Sequence, residues 1–591
     1  MELKTVPVYL LHQAEIQGSS RALSYWEEDE WKSYTWGEYA AEVKQAGRAL
    51  MVLGLQLGGK VCILGFNRPE WVIMDLATML AGGVPAGIYE TCSSESVAYI
   101  IEHSEASMIL VENSTQLDKV LNRIESLPHL KYIVMMKGMV DQHPMTMTWE
   151  EFLQKGDELE EKKLMERQES LDEDAVATLI YTSGTTGPPK AVMLSHKNLV
   201  WTASQAIDML GINDGDTGFS YLPLSHIAEQ MFTIHAPNIG GWPVTFAKSR
   251  ESVLENLKEW QPTIIFGVPR VWEKFQAGVA AKLHQATGVK KFLVNFARRT
   301  ASAVHTIQNA GGKSRGWLAI KYKLAKKLVL DKVKTALGMG NARICVSGAA
   351  PITPEILEFF ASLDILILEV YGQSEDSGPT SFNRPGQVKF GSVGPPYPGD
   401  DVKIADDGEI LVRGDNVFKG YYKDPDATAE TLKDGWLYSG DLGEIDEDGF
   451  LWITGRKKEI IVTSGGKNIA PANIEGMLKN IPLVSQAIVI GDKRKFLSAL
   501  ITLDVEASTV FAQEKSLPEE NLYKDEVVRM EIQLAIEEVN SHLARVENIR
   551  KFEILPRDLT VDDGELTPTL KLVRHIIAKN WSTTIEEIYA E

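Results

Sequence analysis

Residues 181–198, Tyr181-Thr-Ser-Gly-Thr-Thr-Gly-Pro-Pro-Lys-Ala-Val-Met-Leu-Ser-His-Lys-Asn198, decide how the rest of the chain is interpreted. The apolar run at 175–180 before them predicts a buried strand. A loop of glycines and hydroxyl side chains leaves its backbone N–H groups free and ends in a lysine, a combination that suits a polyphosphate. The candidate phosphate-binding residues are Thr182, Ser183, Gly184, Thr185, Thr186, Gly187 and Lys190.

This loop is not a Walker A loop, because its two glycines and its lysine stand at 184, 187 and 190 and not in the spacing G-x-x-x-x-G-K-S/T. Glycine, serine and threonine also form ordinary surface turns. A surface turn requires neither a terminal lysine nor a buried strand before it. The sequence therefore favours a phosphate-binding loop.

Length and charge limit the class of protein. A chain of 591 residues is too long for one hydrophobic core and should divide into at least two domains. A composition of 44% hydrophobic and 24% charged residues is typical of a globular protein. The net charge of −20 disfavours binding to nucleic acid or to anionic lipid, except through a local basic patch.

Several absences in the sequence predict where the protein works. The three cysteines, Cys62, Cys92 and Cys345, form no C-x-x-C pair, which argues against a disulfide framework or a cysteine metal site. The first residues lack the pattern of a signal peptide, and no run of 18 apolar residues occurs. We therefore expect a protein of a reducing compartment, the cytoplasm, with no membrane-spanning helix.

Alternating strand and helix patterns in the first 170 residues predict parallel sheets covered by helices on both faces. The acidic stretch 156–174 predicts a solvated helix or linker, and long helices are predicted over 271–340. Short strands with turns beyond 400 predict a small barrel-like β unit, and the segment after 460 predicts an α+β domain. The strands predicted before 400 include 60–65, 84–88, 106–111, 132–136 and 263–270, and three stretches, 219–229, 343–351 and 363–378, each predict a strand that runs into a turn or loop.

Basic residues are concentrated in one part of the long helical segment, at 313–334, with apolar residues between them. A cationic amphipathic helix in an acidic protein is a candidate for peripheral contact with a membrane surface. A solvated helix face is the alternative, and the sequence does not decide between the two. The cations are Lys313, Arg315, Lys321, Lys323, Lys326, Lys327, Lys332 and Lys334.

Five motifs follow one another in a fixed order: Tyr181 to Lys190, Tyr371-Gly-Gln-Ser-Glu375, Tyr438-Ser-Gly-Asp441, Gly455-Arg456 and Leu566-Thr-Pro-Thr-Leu-Lys571. Together they resemble the adenylate-forming superfamily, and the resemblance covers nearly the whole chain. The subgroup that the chain resembles most is the long-chain fatty-acid–CoA ligases, including the bubblegum type.

The resemblance implies an α/β fold with a large N-terminal domain over residues 1–455. This domain would contain two subdomains with parallel-type sheets and the small β-barrel-like subdomain. A hinge would follow at 456–459, with Lys458 as its pivot. Residues 460–591 would form a mobile α+β C-terminal domain. The sequence leaves the oligomeric state open, and a dimer is compatible with it.

The resemblance also implies a site for ATP, Mg²⁺ and a fatty acid. Residues 182–190 would hold the β- and γ-phosphates, with Glu375 and Thr185 as Mg²⁺ ligands. Asp441 would bind the ribose hydroxyls, assisted by Arg456. The nucleotide would lie between the turn at 348–350 and the Tyr371 loop. The residues implied for this binding are Gly348, Ala349, Ala350, Tyr371, Gly372, Gln373, Ser374, Glu375 and Asp376.

The catalytic groups implied by the resemblance are Lys190, Glu375 and Lys571. Lys571 would neutralise charge at the α-phosphate and the attacking carboxylate. After adenylation the C-terminal domain would rotate and bring Ser464, Gly465 and Gly466 to the channel of coenzyme A, the thiol acceptor.

Each of these residues has a simpler explanation when taken alone. Asp441 could cap a turn, Arg456 could form a surface ion pair, Glu375 could be a loop carboxylate, and Lys571 could be a solvated lysine at a helix start. Only their joint order favours the site. His226 is either a wall of the acyl pocket or a structural histidine.

Four positions depart from the family pattern. Ala191 stands where many relatives have glycine, and Gln373 replaces the usual Met, Leu or Thr. Asp376 adds a carboxylate beside Glu375 that could change metal affinity or pocket polarity. Gln230 occupies the place of a gating tryptophan in some bacterial relatives, so the acyl gate and the preferred chain length are unassigned.

Three functions are compatible with these motifs. The first is ATP-dependent activation of a long-chain fatty acid to acyl-AMP and its transfer to CoA. The second keeps adenylation and delivers the acyl group to a carrier protein. The third is a fatty-acid or nucleotide binding protein without turnover, and retention of Lys190, Glu375, Asp441, Arg456 and Lys571 argues against it.

Overall fold

A computed structural model of the chain describes residues 3–138, 143–182 and 188–590. Five residues of the predicted phosphate loop, Ser183 to Gly187, lie outside these ranges.

The largest sheet has seven strands and confirms the predicted parallel pattern of the first subdomain. Its first six strands pair in parallel, and the last strand is antiparallel to the sixth. In sheet order the strands are Thr146–Thr148, Tyr132–Met135, Met108–Val111, Lys60–Leu64, Val84–Ile88, Val176–Thr182 and Lys190–Ser195.

Helices cover this sheet. Pro69–Leu80 is buried over almost its whole length, begins with proline at its first turn and is followed by Gly82 in the left-handed region (φ 72°). Glu161–Glu169 confirms a helix within the acidic stretch. The other helices of this part are Val6–Gln17, Trp36–Val52, Ser94–Ser104, Ser114–Leu121, Trp149–Lys155 and His196–Leu210.

Two four-stranded sheets make up the second subdomain. The amide of Ile264 in one sheet donates to the carbonyl of Thr217, next to the first strand of the other (3.1 Å), so the sheets lie edge to edge. The first contains Gly218–Ser220, Val244–Phe246, Arg21–Glu27 and Glu30–Thr35. The second contains Ile264–Gly267, Ile344–Ser347, Ile367–Tyr371 and Ser381–Phe382.

Helices predominate between 227 and 361. The long helices predicted over 271–340 are present, and two π-helical turns, Met231–His235 and Lys326–Leu330, interrupt the helical segments. The α-helices are Ile227–Gln230, Ala236–Gly240, Val253–Trp260, Pro269–His284, Gly288–Asn309, Gly316–Ala325, Asp331–Ala336 and Pro354–Ala361.

Short antiparallel strands follow residue 400, as the sequence predicted. They form one five-stranded sheet whose central strand, Trp436–Ile445, pairs with three others, and the helix Pro425–Thr431 lies beside it. The remaining strands are Asp401–Ile404, Glu409–Arg413, Leu432–Lys433 and Leu451–Arg456.

The segment after residue 460 has hydrophobic cores of its own. The two clusters of buried side chains there contain only residues from 461 onward. Ile461–Val462 pairs with Asn468–Ile469, and a second sheet contains Val484–Ile490, Leu497–Leu503 and Ile549–Ile554. The helices are Pro471–Lys479, Val505–Lys515, Glu526–Ser541, Arg574–Asn580 and Ser582–Tyr589.

Among the residues described by the structure, no helix is both long and apolar enough to cross a bilayer.

Candidate active site

The predicted phosphate loop follows one strand and precedes another that is antiparallel to it. Tyr181 pairs with Ala191 and Thr182 with Lys190, so Lys190 begins the strand that follows the loop. Ala191, which departs from the family pattern, is fully buried in the same hydrophobic cluster as Tyr181. The Lys190 side chain is 44% exposed, and its ammonium lies 4.8 Å from the ring centre of Tyr421 and 3.9 Å from Asp424.

Asp441 lies between two site residues from distant parts of the chain. It pairs with Arg456 across adjacent antiparallel strands, and its Oδ1 lies 3.3 Å from the guanidinium of Arg456. The hydroxyl of Tyr371 donates to Oδ2 of Asp441 (2.8 Å). Burial raises the pKa of Asp441, and the positive charge of Arg456 opposes that rise. The structure therefore brings together three residues that the motifs predicted separately.

Glu375 follows the strand that ends at Tyr371. Its Oε1 accepts a hydrogen bond from the hydroxyl of Tyr421 (2.8 Å). No donor within the described ranges contacts its other oxygen. One carboxylate oxygen is thus fixed by the protein, and the second is available to a ligand.

The loop between Tyr371 and Gly378 is closely packed. A Cβ atom at Gly372 would lie 1.6 Å from the carbonyl oxygen of Gly378, so only glycine fits there. Ser374 is buried, and the side chain of Gln373 reaches the carbonyl of Ser439 (3.5 Å). Gln373 therefore helps to attach the loop to the strand that carries Asp441.

Asp376 is fully buried, which corrects the expectation that it adds a carboxylate to the pocket. Its Oδ1 accepts from the backbone N–H of Gln373 (2.8 Å), and its other oxygen accepts from the hydroxyl of Thr380. Burial raises the pKa of Asp376 to about 8. Asp376 thus stabilises the loop and does not present a charge to the nucleotide.

The turn Gly348-Ala-Ala350 follows the strand next to that of Tyr371. These strands are parallel, so the turn and the Tyr371 loop meet at the same edge of the sheet. Gly348 is buried against Val370, and Ala349, exposed, has a left-handed backbone (φ 68°). This placement is compatible with the prediction that the turn 348–350 and the Tyr371 loop form two walls of one nucleotide pocket.

Lys571 stands at the end of a tight turn in the C-terminal segment. The N–H of Thr567 donates to the carbonyl of Lys571 (2.8 Å), and the N–H of Lys571 donates back to the Thr567 hydroxyl (3.1 Å). Leu570 within this turn has a left-handed backbone (φ 60°). A hydrogen bond from the Thr91 hydroxyl to the carbonyl of Pro568 (3.0 Å) holds the turn against the first sheet.

The ammonium of Lys571 lies among the other site charges. Desolvation by the surrounding protein lowers the pKa of the Lys571 ammonium, and the positive charge of Arg456 lowers it further. The negative charges of Asp441 and Glu375 oppose this decrease. Lys571 is at the same time exposed to solvent. The structure therefore gathers Lys571, Arg456, Asp441 and Glu375 around one cleft.

His226 has one of the two roles that the sequence left open, that of a structural histidine, and its place in the wall of the acyl pocket stays a prediction. Its Nδ1 accepts from the N–H of Ala228 (3.1 Å), so the ring caps the helix that begins at Ile227. Burial, together with the charge of Lys571, lowers the pKa of His226 to about 4. The neutral ring is a structural cap that also lies close enough to Lys571 to feel its charge.

Two further groups of predicted residues are exposed at turns. Ser464, Gly465 and Gly466 are exposed in the turn between two short strands, held by hydrogen bonds with Arg494 and Thr463. Lys458 is exposed in a short 3₁₀ turn just after Arg456.

The donor set of the cleft suits Mg²⁺ that is also held by phosphates. No group of three or more His, Cys, Asp or Glu side chains able to hold a metal occurs among residues 3–138, 143–182 and 188–590. Glu375 offers one oxygen among the cations Lys190, Arg456 and Lys571, which suit phosphate oxygens. Mg²⁺ commonly takes one or two protein carboxylates and completes its coordination with phosphate and water.

Three contacts of the cleft were missed by the sequence analysis. Tyr421 links Glu375 and Lys190, Thr91 supports the Lys571 turn, and the guanidinium of Arg270 reaches Asp504 of the C-terminal segment (3.0 Å). Of the three contacts, only that of Tyr421 has a signal in the sequence, which is the glycine before it in Lys419-Gly-Tyr-Tyr422.

Family comparisons agree with the order of the motifs. The family model "AMP-binding enzyme" matches residues 10–422, and the model "AMP-binding enzyme C-terminal domain" matches residues 458–591. A long-chain-fatty-acid–CoA ligase of Xenopus laevis is 38% identical and covers 100% of this chain and 84% of its own. A long-chain-fatty-acid–CoA ligase of Mycobacterium tuberculosis is 37% identical, covering 99% of this chain and 95% of its own.

Solved structures with the same fold include an anthranilate CoA ligase in complex with anthranoyl-AMP. It has a TM-score of 0.73 and 19% identity, and the match covers 99% of both chains. An o-succinylbenzoate CoA synthetase from Bacillus subtilis has a TM-score of 0.69 and 23% identity, covering 96% of this chain and 97% of its own. By its sequence, this chain belongs to the AMP-binding enzyme family, the adenylate-forming superfamily.

Proposed function

We propose that the protein is an ATP-dependent long-chain fatty-acid–CoA ligase that forms acyl-AMP and pyrophosphate, then acyl-CoA and AMP. The observation that carries the proposal is the meeting of Lys571, Arg456, Asp441 and Glu375 in one cleft. They come from four motifs spread over nearly 200 residues. The names of the relatives supply the long-chain acyl substrate and the CoA acceptor.

The nucleotide would lie across the edge of the sheet that carries Tyr371. Asp441 would accept hydrogen bonds from the two ribose hydroxyls, and the positive charge of Arg456 opposes the rise that burial causes in its pKa. The adenine lies between Tyr371 and the turn 348–350. The loop 182–190 and the ammonium of Lys190 hold the β- and γ-phosphates.

In the first half-reaction a carboxylate oxygen of the fatty acid forms a bond to the α-phosphorus of ATP. The bond between that phosphorus and the bridging oxygen to the β-phosphate breaks, and pyrophosphate leaves. Lys571 neutralises charge on the α-phosphate and on the attacking carboxylate, two anions that would otherwise repel each other. His226, kept neutral by its buried position, adds no further positive charge beside Lys571.

Mg²⁺, held by Glu375 and by Thr185 of the loop, would supply positive charge to the phosphate oxygens. Thr185 lies outside the described residues, so its place in this ligand set stays a prediction.

In the second half-reaction the CoA thiolate bonds to the acyl carbon, and AMP leaves with the electron pair of the broken mixed-anhydride bond. Rotation of residues 460–591 about a hinge at 456–459, with Lys458 as pivot, would withdraw Lys571. It would bring Ser464, Gly465 and Gly466, now exposed at a turn, to the thiol channel. The domain boundaries, the hinge and this channel are part of the proposal.

One set of reactions separates this function from its alternatives. The protein is incubated with ATP, Mg²⁺ and palmitate, with and without CoA, while pyrophosphate, AMP and palmitoyl-CoA are measured. We expect pyrophosphate in both arms and palmitoyl-CoA only with CoA. Acyl-AMP without thioester would replace the ligase by a carrier-dependent enzyme. No pyrophosphate with any fatty acid from C8 to C24 would favour a binding protein without turnover.

We also propose that the enzyme works in the cytoplasm and contacts membrane surfaces through the basic segment 313–334, together with the helix Gly288–Asn309 that packs against it. Apolar side chains point into solvent there: Trp317 is 76% exposed, Phe292 70% and Ile320 58%. The segment is fixed because Asp364 accepts from His305 (3.1 Å) and from Tyr322 and pairs with Lys326 and Lys334.

Because of these ion pairs, fewer cations are exposed on the basic segment than the sequence predicted. Lys326 and Lys334 are turned towards Asp364, so six of the eight cations remain exposed to meet lipid headgroups. Each such cation near an anionic surface is worth about 1 kcal/mol. The exposed cations are Lys313, Arg315, Lys321, Lys323, Lys327 and Lys332.

Sedimentation with vesicles tests this contact. We expect binding to vesicles with phosphatidylserine, weaker binding at high salt, and little binding to phosphatidylcholine alone. Lys321→Glu with Lys323→Glu should reduce binding about tenfold or more at unchanged palmitoyl-CoA formation in detergent. Met530→Ser, which removes an exposed side chain elsewhere, is the control. Equal binding by both variants would refute the contact.

A further inference from the structure

Tyr421 lies between the two groups proposed to hold the phosphates and the metal. Its hydroxyl donates to Oε1 of Glu375 (2.8 Å), and the ammonium of Lys190 lies 4.8 Å from its ring centre. The ring itself is only 8% exposed. A single side chain therefore contacts both a carboxylate and a cation of the cleft.

The backbone around Tyr421 is fixed on both sides. The N–H of Tyr422 donates to the carbonyl of Ala191 (2.8 Å), next to Lys190 in sequence, and the N–H of Phe418 donates to the carbonyl of Glu375 (2.8 Å). The hydroxyl of Thr428 accepts from the N–H of Tyr421 (2.9 Å). The segment 418–422 thus joins the strand of Lys190 to the loop of Glu375.

We infer that Tyr421 is a positioning residue that sets the Glu375 carboxylate for Mg²⁺ and holds Lys190 towards the same phosphates. This inference rests on the proposed function, because it concerns the binding of Mg²⁺ and ATP. It adds a residue that none of the motifs in the sequence had indicated as part of the site.

Two physical effects act through the one side chain. A hydrogen bond to a carboxylate fixes its orientation, so that the oxygen without a protein donor points to one place. The face of the Tyr421 ring attracts the Lys190 ammonium. This attraction competes with that of the Asp424 carboxylate, which lies 3.9 Å from the same ammonium. Loss of the hydroxyl removes only the first effect, and loss of the ring removes both.

These effects can be separated by substitution. Tyr421→Phe keeps the ring below Lys190 and removes the hydroxyl from Glu375. Tyr421→Leu removes both contacts. Tyr422→Phe is the matched control, because it removes a tyrosine hydroxyl at the next residue. The Tyr422 ring lies beside Lys60 and Lys423 and does not contact Glu375.

ATP binding is measured by titration calorimetry in Mg²⁺ and in EDTA, without fatty acid, so that no turnover occurs. In Tyr421→Phe we expect the gain in ATP affinity from Mg²⁺ to fall about tenfold, the usual size of a hydrogen bond to a charged group. Affinity in EDTA should be unchanged. Tyr421→Leu should also lose about threefold in EDTA, and Tyr422→Phe should match the wild type in both.

A double-mutant cycle with Glu375→Gln distinguishes positioning from a structural role. If Tyr421 acts through Glu375, then Tyr421→Phe adds little to the loss already caused by Glu375→Gln. Additive losses, equal losses in Mg²⁺ and EDTA, or a wild type whose ATP affinity is independent of Mg²⁺ would each overturn the inference. The thermal midpoints of all variants report whether they fold.

Failure of the inference can be told from failure of the proposed function. If the wild type binds ATP with Mg²⁺ but releases no pyrophosphate with any fatty acid, the proposed function is wrong. The double-mutant cycle of ATP binding can still be interpreted in that case. If the wild type makes palmitoyl-CoA and Tyr421→Phe retains the full effect of Mg²⁺ on ATP affinity, only the inference about Tyr421 is wrong.

Discussion

The two sides of the cleft are built differently. Asp441 and Arg456 lie on paired strands of one sheet, and Tyr371 and Glu375 are tied to neighbouring segments by hydrogen bonds. Lys571 stands on a turn that reaches the N-terminal part through the Thr91 hydroxyl. A side made of paired strands stays in place, whereas a side held by a few polar contacts can leave. This difference is what an enzyme with two successive reactions at one site requires.

The contacts between the two parts support this contrast. Besides the one at Thr91, they include Arg270 with Asp504 (3.0 Å) and the side chain of Asn480 with the hydroxyl of Thr353 (3.4 Å). The Arg270 side chain is 42% exposed. Exposed ion pairs contribute between 0 and about 1 kcal/mol each. Such contacts favour the present arrangement without locking it.

The largest expected effect comes from removing the charge on the mobile side. Lys571→Ala should slow pyrophosphate release by about 10²–10³-fold, because the α-phosphate and the carboxylate lose their shared cation. Thioester formation from supplied acyl-AMP should remain within about threefold, since the resemblance places Lys571 outside the site in that step.

Lys579→Ala, an exposed lysine of the next helix, is the control for this prediction. Both half-reactions are followed in single-turnover experiments. Equal slowing of both would mean that Lys571 stays in the cleft throughout, and the contrast between the two sides would be lost.

A smaller effect is expected on the fixed side. Asp441→Ala should raise the dissociation constant of ATP about 10–100-fold, because it removes an acceptor for two ribose hydroxyls and leaves Arg456 and Tyr371 unpaired. Glu444→Ala, an exposed residue of the same strand, should bind ATP like the wild type. Calorimetry without fatty acid measures both constants, and unchanged ATP binding by Asp441→Ala would exclude the ribose role.

The contact between Arg270 and Asp504 should shift the balance between the two half-reactions. Arg270→Ala should reduce ATP–pyrophosphate exchange about two- to fivefold and leave thioester formation equal or faster. Asp504→Asn keeps an oxygen to cap the helix at Val505 and should act in the same way. The double variant should be no worse than either single one, and additive losses would show that the residues act independently.

The smallest effect concerns the buried carboxylate behind the fixed side. The pKa of Asp376, about 8 in the folded protein, lies above its ordinary value near 4 through burial and the charge of Glu375, and burial also raises that of Asp400 to about 8. Folding then binds the proton more tightly, so stability is full at low pH and falls as pH rises from about 4 to about 8.

Asp376→Asn removes this loss while keeping an acceptor for Gln373. Its thermal midpoint should exceed that of the wild type by about 2 °C or more at pH 8.5, and the gain should be smaller at pH 6. Scans at the two pH values measure it. A gain that does not grow with pH would mean that Asp376 is ionised throughout.

Much of the fold could be predicted from the sequence because apolar runs and their flanking turns are local features. The strand Val84–Ile88 agrees with its prediction at both ends, and the strands near 60 and 132 differ from theirs by one residue. The meeting of Tyr371, Asp441 and Lys571 followed from the resemblance and not from any local pattern.

The remaining features depend on contacts between distant segments. Nothing near Asp376 in the sequence indicates that its carboxylate turns inward to Thr380, and nothing near Lys326 indicates its pairing with Asp364. Tyr421 and Arg270 reach partners 46 and 234 residues away, which no spacing rule covers.

The central claim is that one side of the cleft moves between two reactions, and a distance between the two sides tests it most directly. Spin labels are placed at Glu444→Cys and Met530→Cys, both exposed, in a chain whose own cysteines Cys62, Cys92 and Cys345 are buried. With ATP alone we expect one distance, and with AMP and CoA a second population at a different distance. The same single distance under both conditions would contradict the account.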